Sequence, residues 1–342
     1  MLSRFATLAV ATLLALAAAE GAIRLSGLGI GDFVHDSRKL AETFVLADGG
    51  YLTMPAGAVA EVGGHEVRAN SLGARDREPP PPDTAATRVL FLGDSTTFGW
   101  GVAYEESFPV LVRESLAGGD VAVDVAALPG WNSRAERAFL EAHVGRYDPD
   151  VVVVLYDQND REPVSPYLLE RARATSTWGR LRRFAIAHSK LVEWAAFARE
   201  TYLPRDYDRY LRITAERERQ RTSAGAPFAA DDPWWMQSAS ELERMRQILE
   251  REGRRLVVFV FRNRERLGRV DVALERLQEF GAATSVPVYD TWPMLAGVPV
   301  RERILSAYDQ HPNALGHRLL ADGILARLRS SGVLSLASAP DG

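Results

Sequence analysis

The chain has 342 residues, of which 46% are hydrophobic and 25% are charged, a composition typical of a globular protein that can bury a full α/β core. Its net charge of -4 gives no reason to expect nucleic acid as a partner. The sequence contains no cysteine, which excludes disulfides, thiolate metal sites, a cysteine nucleophile and a lipid-modified N-terminal cysteine. Export is not excluded, because a domain of this size needs no disulfides for stability.

The first residues have the pattern of an export signal. Arg4 precedes an uncharged run from Phe5 to Ala19, and the small residues at 17–19 could form a cleavage site. Residues 21–23 could lengthen the run to that of a membrane span if Glu20 lies near the membrane interface. Residues 1–27 are therefore predicted to be a signal peptide or an inner-membrane anchor, and we favour the anchor. The chain would then face the periplasm, or would be a soluble periplasmic protein if the signal were cleaved.

Residues 28–86 lack sustained periodicity and end in four consecutive prolines, which predicts an N-terminal extension and a stiff linker. From residue 88 onward, short apolar runs alternate with helical patterns. This alternation predicts a parallel sheet covered by helices on both faces. The predicted strands are 88–93, 121–126, 151–156, 255–261 and 286–290, and the predicted helices are 108–116, 134–145, 271–280 and 313–330.

A helical insertion is predicted at about 163–253, between the third and fourth strands. From Arg171 to Arg221 it has 13 Lys or Arg against 6 Asp or Glu, a local net charge of +7. Such a stretch could face anionic lipid or an acidic polymer. The alternative, which the sequence favours, is a solvated helical face.

Unusual polar residues and a glycine lie where the predicted strands end. Ser95 follows the first strand within Gly-Asp-Ser, Gly130 follows the second and Asn159 follows the third, whereas Asp309 and His311 precede the last helix. Sites in open α/β sheets form at the carboxyl ends of the strands, where these loops gather. We therefore expect the five residues to share one site.

The segment 93–99, Gly-Asp-Ser-Thr-Thr-Phe-Gly, resembles the nucleophile block of the GDSL/SGNH hydrolase family. Gly130 matches the second-block glycine of that family, Asn159 its third-block asparagine, and the segment 309–317 its C-terminal block. Upstream, the segment 70–76 is similar to a stretch found in membrane-anchored bacterial members. The resemblance implies that residues 87–335 form a three-layer α/β/α sandwich with a flavodoxin-like sheet, and that the chain hydrolyses esters or transfers acyl groups without a metal.

The residue types suit those roles. Ser95 is a nucleophile only if a base takes its proton, and His311 has a suitable pKa. A strand-to-helix turn at Ser95 would aim the positive end of the helix at the reacting centre. The backbone N–H groups of Ser95 and Gly130 and the side-chain amide of Asn159 would stabilise an oxyanion.

Two positions depart from the family pattern. Asp157 stands where the third block usually has glycine, and Tyr308 stands where the C-terminal block usually has its aspartate. Asp309, one residue later, is assigned as the third member of the triad, and a Ser-His dyad is the alternative. Asp94 is predicted to be structural, and His317 is predicted to be a helix-packing residue.

The leading hypothesis is an exported serine carboxyl-ester hydrolase acting through an acyl-enzyme on Ser95, with no cofactor and no metal. Its partners would be a small-molecule or polysaccharide ester and, through residues 1–27, the membrane. An O-acetyltransferase that modifies a surface polysaccharide with the same residues is the first alternative. A non-catalytic carbohydrate-binding or assembly protein on the same fold is the second. The sequence leaves the acyl chain length and the oligomeric state open.

Overall fold

The computed structural model describes residues 2–26, 36, 39–81, 87–165, 168–169, 181, 184–185, 189–195, 227–263, 268–306 and 309–334. Most of the strongly basic stretch predicted within the insertion lies outside these residues.

The chain begins with helix α1, Leu2–Ser26. Its segment Arg4–Ser26 has 23 residues and a mean hydropathy of 1.8, so it is long and apolar enough to cross a membrane. Side chains from Arg4 to Ala18 are exposed, whereas Ala19, Glu20 and Ile23 are partly buried against the rest of the protein. An exposed apolar helix of this length is compatible with a membrane anchor.

Two small antiparallel hairpins follow, which the sequence pattern did not predict. The first pairs β1, Val45–Leu46, with β2, Leu52–Thr53. The second pairs β3, Val59–Val62, with β4, His65–Arg68. Strands of two to four residues are too short to show alternation in a sequence window.

The central sheet has five parallel strands. They are β5, Thr87–Gly93; β6, Val121–Ala127; β7, Val151–Tyr156; β8, Arg255–Val260; and β9, Val288–Asp290. Their spatial order is β6-β5-β7-β8-β9, which is the flavodoxin-like order 2-1-3-4-5. The order reverses between β5 and β7, so the carboxyl ends of these two strands border the crevice where such folds bind ligands.

The helices of the sandwich are α2, Ser95–Phe98; α3, Phe108–Ser115; α4, Ser133–Tyr147; α5, Pro233–Glu250; α6, Gly268–Thr284; α7, Trp292–Leu295; and α8, Ala314–Ser330. Short 3₁₀ helices occur at Tyr104–Glu106, Gln158–Arg161 and Val300–Glu302.

The sheet is buried on both faces because successive strand residues point to opposite sides. In β5, Leu90 and Leu92 join a core shared with α4, α5 and α6, whereas Val89 and Phe91 join a second core with α3 and α8. This three-layer α/β/α arrangement confirms the predicted fold class. The apolar runs of the central strands are uninterrupted for the same reason.

The N-terminal extension packs against the sandwich. Leu52 and Met54 belong to the same core as β5. Arg88 donates to the carbonyls of Pro80 and Pro81, and Arg146 donates to that of Pro79, so the proline stretch is bound along its described part. The predicted domain boundaries stay a prediction, but residues 39–81 contribute to the main core.

The predicted insertion needs one revision. Helix α5 lies within its last 21 residues, yet Leu242, Met245 and Leu249 are buried in the core that the sheet shares with α4. A buried ion pair between Arg137 of α4 and Glu241 of α5, at 2.8 Å, fixes the two helices side by side. Helix α5 is therefore one layer of the sandwich.

Candidate active site

Ser95 lies at the carboxyl end of β5, as the first residue of α2. Asp94 caps this helix, because its Oδ1 accepts a hydrogen bond of 3.1 Å from the backbone N–H of Thr96. The helix ends after one turn at Gly99, whose φ of +76° is a left-handed conformation that favours glycine. A one-turn helix has few aligned peptide dipoles. The positive electrostatic potential expected at Ser95 therefore comes mainly from the unpaired backbone N–H groups at the start of α2.

The tertiary structure brings Ser95, His311 and Asp309 into one hydrogen-bonded line. The Nε2 atom of His311 lies 2.8 Å from Oγ of Ser95, across 216 positions of sequence. The Nδ1 atom of His311 lies 2.6 Å from Oδ1 of Asp309. An ionised carboxylate only accepts hydrogen bonds, so Nδ1 carries the proton and Nε2 accepts from the serine hydroxyl. This arrangement can remove the proton of Ser95.

Electrostatics around His311 favour its charged form. Burial alone would lower the pKa of His311, but the hydrogen bond from its ring to Asp309 and the negative charges of Asp309, Asp94 and Asp157 outweigh burial and raise it. Burial likewise opposes ionisation of Asp309, yet the hydrogen bonds from His311 and Trp100 hold the pKa of Asp309 below its usual value. An imidazolium at this position would thus be stabilised by its surroundings.

Asp309 lies one residue later in the sequence than the usual aspartate of the family. It still reaches the imidazole because hydrogen bonds hold its loop in place. Its backbone N–H donates to Oγ of Ser306 at 3.0 Å, and its carbonyl accepts from the N–H of Ser306 at 2.9 Å. The indole N–H of Trp100 donates to Oδ2 of Asp309 at 3.0 Å.

Sequence reasoning missed Trp100. It lies just after the nucleophile block, but nothing in the sequence pairs it with a residue 209 positions away.

Two backbone donors expected at the oxyanion position are available. Within the described part of the chain, no acceptor takes the N–H of Ser95 or of Gly130. Gly130 has φ of +86°, and a Cβ at this position would lie 2.8 Å from Cδ1 of Leu168. The left-handed backbone conformation favours glycine at this position, whereas the end of the Leu168 side chain could move aside for a Cβ.

Asn159 is held close to the nucleophile through Asp94. Its Nδ2 donates to Oδ2 of Asp94 at 2.8 Å, and Oγ of Ser95 lies 3.2 Å from the same oxygen. An amide nitrogen has two hydrogens, so the second remains for a substrate oxygen. Asp94, predicted to be structural, thus also orients Asn159.

The loops that carry Gly130 and Asn159 are joined to each other. The side chain of Asn132, which caps α4, donates to the carbonyl of Glu162 at 2.6 Å. Asp157, at the position where the family usually has glycine, caps the short helix that contains Asn159 by accepting from Gln158 at 2.6 Å. Burial, and secondarily the charge of Asp94, raises the pKa of Asp157 to about 7.

His317 lies apart from the reacting groups, as expected for a packing residue. It is fully buried, its ring stacks on Phe108 with centroids 6.1 Å apart, and its Nδ1 accepts from the backbone N–H of Phe108. Across the described ranges, no group of three or more His, Cys, Asp or Glu side chains could hold a metal. A cavity of about 730 Å³ lies away from Ser95, between the end of α1 and the β3–β4 hairpin.

A comparison with protein families found one match. Residues 91–259 match the model of the GDSL-like Lipase/Acylhydrolase family, a range that includes Ser95, Gly130 and Asn159 but ends before His311. A comparison with curated protein sequences found no match.

Three solved structures are among those similar to this chain. The structure of TesA has 16% identity and a TM-score of 0.45, covering 71% of this chain and 99% of that one. The lipase/acylhydrolase from Enterococcus faecalis has 18% identity and a TM-score of 0.42, covering 72% and 96%. The acetyl xylan esterase AlAXEase has 16% identity and a TM-score of 0.42, covering 70% and 99%.

The family match covers the segment that carries the nucleophile block and the second and third blocks, on a sheet with the strand order this fold requires. Residues 91–259 are therefore a GDSL-like lipase/acylhydrolase domain, and the chain is an ester-hydrolysing enzyme.

Proposed function

We propose that the chain is an exported serine carboxyl-ester hydrolase, anchored in the inner membrane by α1, that works through an acyl-enzyme on Ser95. The observation that carries the proposal is the line of two hydrogen bonds, 2.6 and 2.8 Å long, from Asp309 through His311 to Ser95. Isolated caps or turn residues would have no reason to align in this order.

In the first step, Oγ of Ser95 attacks the ester carbonyl carbon while its proton passes to Nε2 of His311. Asp309 holds the imidazole in the required tautomer and stabilises its charge. The tetrahedral intermediate then collapses, the alcohol leaves with the proton from His311, and the acyl group remains on Ser95. Water attacks the acyl-enzyme, gives its proton to His311, and the carboxylic acid is released as Ser95 recovers its hydrogen.

The oxyanion of both tetrahedral intermediates would accept hydrogen bonds from the backbone N–H groups of Ser95 and Gly130 and from the second amide hydrogen of Asn159. The two backbone groups come from the ends of β5 and β6, so their separation is set by the sheet and changes little during the reaction. Asp94 acts as a positioning residue for Asn159.

The membrane anchor places the enzyme outside the cytoplasm. Arg4 precedes the apolar segment of α1, which is the order of a positive start and an apolar run in an N-terminal export signal. The chain that follows α1 would therefore lie in the periplasm. The proposed organisation is an anchor at 1–27, an extension at 28–86 and a hydrolase domain at 87–335.

A fluorophosphonate probe and a panel of p-nitrophenyl esters of increasing acyl length test this proposal. The full-length protein should be labelled at Ser95 and should hydrolyse at least one ester. Ser95→Ala should abolish both signals, whereas Ser115→Ala, which changes an exposed serine on α3, should keep both. Hydrolysis by a Ser95→Ala enzyme would overturn the assigned nucleophile.

A polysaccharide acceptor added in parallel separates hydrolysis from acyl transfer, because the two reactions differ only in whether water or a sugar hydroxyl attacks the acyl-enzyme. Release of free acid at the same rate with and without acceptor supports the hydrolase. Transfer of the acyl group to the polysaccharide, with little free acid, would favour the O-acetyltransferase alternative.

A further inference from the structure

The outer end of α1 is joined to a segment that follows β7 by more than 30 residues. The carboxylate of Glu20 accepts hydrogen bonds from the hydroxyl of Ser189 at 2.9 Å and from the backbone N–H groups of Lys190 and Leu191 at 3.0 and 2.8 Å. These donors form the first turn of the helical residues 190–195. The same carboxylate accepts from Arg24 at 2.6 Å.

The segment is also tied to the body of the protein. Lys39 pairs with Glu193 at 3.0 Å, and both side chains are nearly buried. Lys190 pairs with Glu61 of β3 at 3.1 Å. The segment 189–193 therefore connects α1 with the N-terminal extension, and these contacts fix its position along the axis of α1.

The depth of this segment relative to the membrane follows from helix geometry. The apolar part of α1, from Phe5 to Ile23, is about 28 Å long at 1.5 Å per residue, close to the ~30 Å of the hydrocarbon layer. Glu20 is three residues before Ile23, so it lies within about 5 Å of the outer membrane interface. Ser189, Lys190 and Leu191 must lie at the same level, because they contact its carboxylate.

Large apolar side chains are exposed on residues that precede and follow this contact in the chain. Leu181 is 56% exposed, Phe184 61% and Val192 37%. Phe184 lines the same cavity as Arg24, Ser189 and Lys190, which puts it beside the end of α1. In water, exposing these side chains would be unfavourable, whereas an interface helix buries such residues at the boundary of headgroups and acyl chains.

We propose that Leu181, Phe184 and Val192 form an apolar patch that inserts into the outer face of the same bilayer that α1 spans. The sequence around the patch complements anionic lipid, since arginines at 180, 182 and 183 adjoin Leu181 within the stretch of net charge +7. This patch is a second contact with the membrane besides α1, and it holds the catalytic domain against the membrane surface. The inference rests on the proposed anchor, and it differs from the solvated helical face that the sequence pattern favoured for this segment.

Because the chain has no cysteine, single cysteines can report the depth of chosen positions in the full-length protein. We would attach the fluorophore NBD to Leu181→Cys and Phe184→Cys in vesicles of phosphatidylcholine and phosphatidylglycerol, with lipids spin-labelled either near the glycerol or near the acyl-chain end. Met236→Cys on α5, 58% exposed, is the matched control, and Leu13→Cys in α1, 66% exposed, reports the anchor. Hydrolysis of a soluble p-nitrophenyl ester verifies that each labelled variant is folded.

Lipids labelled near the glycerol should quench NBD at 181 and 184 about twofold or more, because interfacial residues lie at that depth. Position 236 should keep its emission, and position 13 should be quenched most by the deep label. If NBD at position 13 is quenched while NBD at positions 181 and 184 keeps its emission like NBD at 236, the proposed membrane patch is wrong and the anchor stands. If 13 is not quenched, both the anchor and the patch fail, while ester hydrolysis by Ser95 is judged by its own assay.

Discussion

At the scale of single residues, the unusual feature is how the carboxylate of Asp309 is held. It follows the family's usual aspartate position by one residue, and the indole N–H of Trp100 donates to its Oδ2 at 3.0 Å. The other oxygen, Oδ1, accepts from both the backbone N–H and the ring of His311. The side chain of Trp100 therefore reaches Ser95 through Asp309 and His311, which would make its indole a positioning group in the proposed mechanism.

Trp100→Phe should lower kcat about tenfold with little change in KM, since a hydrogen bond to a charged group contributes about 1.5–3 kcal/mol. Activity needs neutral His311, so kcat should rise with pH through a midpoint above 6.5 in the unaltered enzyme, as the raised pKa of His311 requires. In the variant this midpoint should move higher, because Asp309 with one donor fewer attracts the imidazolium proton more strongly.

Trp131→Phe is the matched control for this measurement. It removes a buried indole hydrogen bond of 2.7 Å to the carbonyl of Leu52, and its ring packs on Tyr51 and Phe139, whereas the ring of Trp100 packs on His311. Because Trp131 follows Gly130, the quantity compared is the pH midpoint and not kcat. It should cost stability without moving the pH midpoint. Identical pH–rate profiles for Trp100→Phe and the unaltered enzyme would contradict the positioning role.

At the scale of elements, the N-terminal extension supports the loop that carries Trp100. The buried guanidinium of Arg75 donates to the carbonyls of Phe98, Gly99 and Val102, at 3.1, 2.8 and 3.0 Å. The next residue, Asp76, accepts from Arg113 of α3 at 2.6 Å. The stretch that resembles membrane-anchored members thus fixes the end of α2 and the start of the loop behind the nucleophile.

Arg75→Met should therefore reduce both stability and kcat. Three buried carbonyls would lose their donor, at a cost of at least about 2 kcal/mol in the free energy of unfolding, and the displaced Trp100 would release Asp309. Arg77→Met is the control, because the guanidinium of Arg77 is half exposed and its contacts with described residues are long, 3.4 Å to the carbonyl of Val123 and 4.0 Å to Asp124. Denaturant unfolding and steady-state kinetics give the two quantities, and equal effects of the two substitutions would show that Arg75 has no special role.

At the scale of the whole molecule, stability should depend on pH through His317. Burial, and secondarily the charges of His311 and Arg75, lowers the pKa of His317 to about 3. The folded state therefore binds no proton here between pH 6.5 and 3, whereas the unfolded chain does. The free energy of unfolding then falls as the pH drops below about 6.5, by up to about 1.4 kcal/mol per pH unit from this group.

His317→Gln tests this linkage, because it keeps a polar side chain but removes the titrating ring. At pH 8 the variant should be less stable than the unaltered protein, since the stacking on Phe108 is lost. The difference should shrink steadily toward pH 5 in denaturant titrations. A constant difference across this range would mean that His317 does not control the acid sensitivity.

The sequence by itself determined the sheet, because each central strand is an apolar run bounded by turn residues. The predicted strand 151–156 matches the observed one at both ends, and the helix predicted at 313–330 begins one residue later because Asn313 caps it. It also brought Ser95, Gly130, Asn159, Asp309 and His311 together as candidates, because residues after parallel strands meet at one edge. Their catalytic roles remain predictions for the experiments above.

Only the tertiary structure decided what holds those candidates in place. Trp100 contacts Asp309, Arg75 contacts the loop after α2, and Glu20 contacts Lys190, all across separations that leave no periodic trace in the sequence. The same holds for α5, whose helical pattern was readable but whose place in a layer depends on burial against α4. A local pattern reports which face of an element is apolar, whereas the partner that covers this face is chosen by packing over the whole chain.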